Sequence, residues 1–168
     1  MGYRELFLVL LSVVLLTTLM VQINAGTNES RETLFELEIA HTAASIAQQY
    51  LDEIRSKQFD ALSSVIPPGS MPGGFTAWNG LGHGWWETYP NYNDVDDYHG
   101  FTRTHNLNGV DYNVAIQVHY VRDSAPDVAY NDETFFKRVT VTVTSSYLTN
   151  PNMNSVVLKQ VFSYFGVN

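Results

Sequence analysis

Apolar residues form an unbroken block at the amino-terminal end and then thin into a stripe. From Leu6 to Ile23 the sequence reads LFLVLLSVVLLTTLMVQI, in which only Ser12, Thr17, Thr18 and Gln22 are polar. As a helix this block measures about 27 Å at ~1.5 Å per residue, close to the hydrocarbon thickness of a bilayer. A helix exposed to water is not apolar on every side. Three readings compete: a retained membrane anchor, a secretory signal cut after Ala25 in Ile23-Asn24-Ala25, and a buried core helix. The block is too long and too uniform to favour the third.

Over residues 29–58 the pattern acquires a helical period. Ile39, Ala43, Ile46, Ala47, Tyr50 and Ile54 recur at spacings of three and four and make one apolar face, while Glu32, Glu36, Gln49, Glu53 and Lys57 lie largely elsewhere. Joined to the first block, this predicts one helical rod from about Glu5 to about Ser56. Its weak point is Gly26, because glycine costs about 1 kcal/mol relative to alanine in a helix interior. Thr27 or Asn28 can cap a second helix, so the rod is expected to bend, melt or break there.

Residues 63–100 lose all long periodicity. Pro67-Pro68-Gly69, Pro72-Gly73-Gly74 and scattered aromatics read as loop with short elements. Trp78, Trp85 and Trp86 carry large apolar area, so the loop is expected to fold over a sheet or helix and cover them. From Phe101 the period becomes two. Phe101 to Thr104 leads to an Asn108-Gly109 hairpin turn. Tyr112, Val114, Ile116, Val118 and Tyr120 then alternate with polar or small residues, and Val139, Val141 and Val143 alternate with threonines in a strand from Phe136 to Ser146. Arg122 to Glu133 reads as a polar, acidic loop, and Asn150-Pro151-Asn152 as a turn. Ser155 to Phe165 is the last strand, apolar enough on both faces to be covered twice.

The predicted class is α+β: a long amino-terminal helix, one half membrane-anchoring and one half amphipathic, packed on a carboxy-terminal antiparallel β-sheet. The chain divides into an apolar transmembrane or filament-core helix at 1–25, an amphipathic helical stem at 26–58, and an aromatic-rich loop with the sheet head at 59–168.

Charge sharpens this division. The formal net charge is -8, and residues 59–134 hold ten acids against two bases. No charge occurs between Leu6 and Asn28. Nucleic-acid binding needs clustered basic residues, which are lacking. The absence of cysteine excludes disulfides, thiolate zinc sites and a cysteine nucleophile.

Few residues invite chemistry. Asp94, Asp96 and Asp97, with Asn91 and Asn93 nearby, form an oxygen-rich string. It reads either as a Ca²⁺ site or as a solvated acidic turn whose carboxylates cap local backbone, and the EF-hand spacing is not met. His83 and Glu87 are four apart but flank Gly84, Trp85 and Trp86 in a loop. Trp78, Trp85 and Trp86 are either core under that loop or a surface on which sugars stack. No GxSxG, P-loop or GxGxxG is present, so enzyme activity is not expected and no cofactor is implied.

The order of elements resembles that of type IV pilins and pseudopilins. Ala47-Gln48-Gln49-Tyr50-Leu51-Asp52-Glu53-Ile54-Arg55-Ser56-Lys57-Gln58-Phe59-Asp60 resembles the helix end of minor pilins of the mannose-sensitive haemagglutinin type. Asp94-Val95-Asp96-Asp97-Tyr98-His99-Gly100 resembles the segment that enters their sheet. The resemblance implies a subunit anchored in the bacterial inner membrane with its carboxy-terminal domain outside. Such a subunit is later packed against other pilin-like subunits in a pilus or secretion pseudopilus, usually as a minor component. It implies that Glu5 pairs with the terminal amine of a neighbouring subunit.

A prepilin cut between Gly2 and Tyr3 makes Glu5 the third mature residue. Counting from Met1 makes it the fifth, the family position, which implies a subunit without a leader or with one further upstream. The family's late helix proline is missing, with Gln22 and Gly26 nearest to its place. The competing expectation is a secreted β-rich binding module released after Ala25.

Overall fold

A computed structural model describes residues 2–62, 74–149 and 154–165. The Pro67-Pro68-Gly69 and Pro72-Gly73 positions and the Asn150-Pro151-Asn152 turn lie outside the described residues.

Helix α1 spans Tyr3–Arg55, 53 residues, and so matches the expected rod almost end to end. It passes through Gly26 without the expected break. The hydroxyl of Thr27 donates back to the carbonyl of Asn24 at 2.9 Å, and that of Ser30 to the carbonyl of Gly26 at 2.8 Å. Both behave as interior helix residues, whereas an N-cap would accept from N–H groups ahead of it. One glycine costs less than ending a helix and nucleating a second.

The chain forms two units, Met1–Glu38 and Ile39–Asn168. The first is helix alone. In the second, the last turns of α1 bury Ile39, Ala43, Ile46, Ala47, Tyr50, Leu51 and Ile54, the predicted stripe with Leu51 added. These side chains meet the inward residues of a five-stranded sheet in one core.

The strands are β1 (Thr102–Leu107), β2 (Val110–Arg122), β3 (Ala125–Ala129), β4 (Phe136–Thr144) and β5 (Ser155–Ser163). Their order is β1-β2-β4-β5, all antiparallel, with β3 paired to the end of β2. Asn108 and Gly109 have φ of 54° and 82°, so the hairpin closes with two left-handed residues, as an Asn-Gly turn requires.

Two expectations for this sheet are corrected. The supposed loop from Arg122 to Glu133 contains β3, a five-residue edge strand in which Pro126 is tolerated because an edge leaves one side unpaired. β5 is covered on one face only: Phe162 is buried, while Val157 and Val161 are exposed. It is a terminal strand of the sheet order, so its apolar character on the second face meets no layer among the described residues.

The inward rows follow the pairing register. Val114 faces Val143, Ile116 faces Val141, and Val118 faces Val139. The next row is different: Tyr120 faces Lys137, which faces Phe162. A second, smaller core of Phe59, Phe75 and Tyr120 gathers at this end.

Candidate functional site

Every large apolar side chain from Leu6 to Ile23 is exposed in the structure, and none of the most apolar stretch of α1 is buried. The hydroxyls in this block satisfy themselves. Ser12 donates to the carbonyl of Val9 at 2.8 Å, Thr17 to that of Val13 at 2.9 Å, and Thr18 to that of Val14 at 3.0 Å. Their hydroxyls therefore need neither water nor a partner chain, which suits a hydrocarbon surround.

At the helix start, the Gly2 N–H donates to Glu5 Oε2 at 3.2 Å and the Glu5 N–H donates to the Gly2 carbonyl at 3.0 Å. Gly2 is thus the cap, Tyr3 the first helical residue, and Glu5 makes the reciprocal half of a capping box, since Gly2 has no side chain to make the other half.

The acidic string of the head is not a solvated turn. Asp94, Asp96 and Asp97 are buried in and beside a single 3-10 turn, Asp96–Tyr98. The capping half of the expectation holds. Asp94 Oδ1 accepts from the N–H groups of Asp96 and Asp97 at 2.9 and 3.2 Å, and Asp97 Oδ2 from that of Asn93 at 2.9 Å. Exposure is what sequence reasoning mistook, because it missed Lys137. The Lys137 side chain is 0 % exposed and its Nζ lies 2.9 Å from Asp60 Oδ2, 2.5 Å from Asp96 Oδ1 and 2.8 Å from the carbonyl of Phe59. The rings of Phe59 and Tyr120 have centroids 4.6 and 5.2 Å from the same nitrogen. An ammonium thus sits against the carboxylates of Asp60 and Asp96. Among the described residues no three or more His, Asp or Glu side chains are grouped to hold a metal ion.

Burial opposes ionisation of Asp60, but the Lys137 ammonium and the N–H groups of Leu62 and Thr76 outweigh it and hold its pKa below the ordinary value. Asp94 goes the other way. Burial first, then the charges of Asp96 and Asp97, push it up to about 8. A carboxyl whose folded pKa is raised favours the folded state fully below its unfolded value, near 3.8, and loses that contribution as pH rises through the folded value. Stability of the head is therefore expected to decline between about pH 5 and about pH 8. Denaturant midpoints across that interval check this, and a midpoint that rises with pH contradicts it. Asp60 acts below this window: its contribution is lost as pH falls through a folded pKa under 3.8.

Glu53 ties α1 to the segment before β1. It accepts from the hydroxyl of Tyr98 at 2.6 Å and from that of Tyr89 at 3.1 Å. Burial and this carboxylate raise the pKa of Tyr98.

The tryptophans are not covered as expected. Trp85 is 89 % and Trp86 68 % exposed, with ring centroids 5.4 Å apart, edge to face, and Trp78 is 45 % exposed. The aromatic side chains that do fill the core from this segment are Phe75, Tyr92 and Tyr98, joined by Phe101 just after it. Trp78 lines a surface pocket of ≈ 490 Å³ with His99, His119 and Tyr130, and neither Trp85 nor Trp86 borders it. Glu87 shapes the loop instead, accepting from the N–H of Gly84 and the side-chain amide of Asn93, each at 2.7 Å. His83 stacks on Tyr92 at 5.4 Å.

The class of the protein follows from these features: an α+β chain with, among the described residues, one helix that is long and apolar enough to cross a membrane. No known family model, curated protein or solved structure matches it.

Proposed function

We propose that the protein is a pilin-like structural subunit, held in the bacterial inner membrane by residues 6–23 and assembled into a type IV pilus or secretion pseudopilus. The observation that carries this reading is the character of α1. One continuous helix begins with a block that has no buried side chain and no unsatisfied hydroxyl, and ends in turns that form the core of the head. Lipid and neighbouring helices are interchangeable apolar partners for the first part, so transfer from bilayer to filament costs little. The resemblance in the order of elements adds to this. The acidic head keeps subunits soluble outside the membrane and sets contacts between them.

Mass spectrometry of the native amino terminus tests the reading. A chain that retains Leu6 to Ile23 supports it. A mature chain that starts at Gly26 overturns it and makes the protein a secreted module bearing the exposed tryptophans.

In the proposed assembly, the Glu5 carboxylate pairs with the terminal amine of a neighbour, because a carboxylate at the edge of an apolar helix is costly in lipid unless paired. Glu5→Gln separates this role from capping, since glutamine also completes a capping box. The expected result is an intact helix by circular dichroism with incorporation into filaments reduced at least about tenfold, the equivalent of ~1.4 kcal/mol. Wild-type incorporation of Glu5→Gln removes the pairing role.

A further inference from the structure

We propose that Lys137 and Asp96 condense to an isopeptide bond, an amide between Lys137 Nζ and Asp96 Cγ, that covalently joins β4 to the 3-10 turn. The inference is independent of the pilin reading.

Four observations converge on it. The first is distance. Nζ lies 2.5 Å from Asp96 Oδ1, shorter than the ~2.7–2.9 Å usual for a charge-assisted N–H···O bond. The second is seclusion. Lys137 and Asp60 are 0 % exposed and Asp94 and Asp96 3 %, with the rings of Phe59 and Tyr120 against the amine. Charges in such a setting carry a heavy desolvation penalty, and condensation removes one of each sign together.

The third is preorganisation. Asp96 is fixed by its N–H bond to Asp94 Oδ1 at 2.9 Å, and Lys137 by its place between Tyr120 and Phe162 in the sheet. Groups held in this way reach effective concentrations of about 10⁵–10⁸ M, which offsets the poor equilibrium of amide formation in water. The fourth is the set of neighbours. Asp60 Oδ2 is 2.9 Å from Nζ and can take a proton from it, and the Asp94 carboxyl is hydrogen-bonded to Asp96 and can give one to it. Burial and the neighbouring carboxylates keep Asp94 protonated at neutral pH.

The step balances without a co-reactant. Asp60 removes one proton from the Lys137 ammonium, and Asp94 protonates the Asp96 carboxylate. The freed amine lone pair attacks Asp96 Cγ. A second proton leaves nitrogen for the departing oxygen, the C–O bond breaks and water is expelled. The amide keeps one hydrogen, Asp60 is left protonated and Asp94 ionised. The bond links positions 41 residues apart in a chain that has no cysteine to form any other covalent bridge.

The test uses the full-length chain purified from membranes and digested with trypsin, which cuts after Lys57, Arg103, Arg122 and Arg138. The expected product is a branched species joining residues 58–103 to residues 123–138, lighter than their sum by one water, with no peptide ending at Lys137. Asp60 and Asp96 share the first peptide, so fragmentation must place the branch on Asp96. An unbranched peptide ending at Lys137, or a branch on Asp60, overturns the proposal. Lys137→Arg should give no branch. Asp96→Asn should give the same branched mass by expelling ammonia in place of water, which a purely ion-pairing carboxylate has no reason to do. The wild-type digest stands even where a variant fails to fold.

Discussion

Lys137→Ala is expected to destabilise the head by at least about 3–5 kcal/mol, the range found when one partner of a buried ion pair is removed, because the proposed amide to Asp96 is lost with it. The side chain is fully buried and its amine meets two carboxylates and a backbone carbonyl. Truncation strands Asp60 and Asp96 in an apolar shell with no cation and leaves a cavity beside Phe59 and Tyr120. Whole domains have only about 5–15 kcal/mol of stability, so a loss of this size brings the head near to unfolding. Denaturant midpoints of the full chain in detergent measure it. A loss under about 1 kcal/mol would show that the network is not what holds this end of the sheet together.

The second large effect concerns the apolar block. Leu11→Arg with Leu15→Arg places two guanidinium groups one turn apart near its centre, and each costs about 2.5–3.5 kcal/mol there. The membrane-retained fraction of the protein is expected to collapse. Leu37→Arg, also exposed but beyond the apolar block, should leave retention unchanged. Fractionation of cells expressing each variant reads the outcome, and retention of the double variant at wild-type level would falsify membrane anchoring by this helix.

What was legible in the sequence had a strong local period. The stripe from Ile39 to Ile54, the alternation in β2 and β4, and the Asn108-Gly109 turn each involve residues whose neighbours in space are set by neighbours in sequence. What escaped had no such support. β3 is five residues with a proline, too short to show alternation, and it exists because the end of β2 offers it a partner. Trp85 and Trp86 were expected inside on the strength of their area, but nearby tyrosines and phenylalanines had already filled the core.

Lys137 was within reach. Val139, Val141 and Val143 point inward, and stepping back two residues from Val139 lands on Lys137. An inward lysine demands carboxylates, and the acidic string at Asp94 to Asp97 was the place to seek them. The partner at Asp60 lies 77 residues away in sequence, and only the folded chain brings it there.

The outer edge of β5 has one more consequence. Val157 and Val161 face outward with Lys159 between them, on a terminal strand whose far side pairs with no other strand among the described residues. An edge of this kind is a template on which another chain can add. Lys159 reaches only Asp127, at 3.6 Å and largely exposed, so its charge stays open to solvent. When two heads approach edge to edge, each brings the same ammonium to the seam, and both must be dehydrated before the valines can meet. One lysine thereby acts as a bumper against two heads sticking edge to edge.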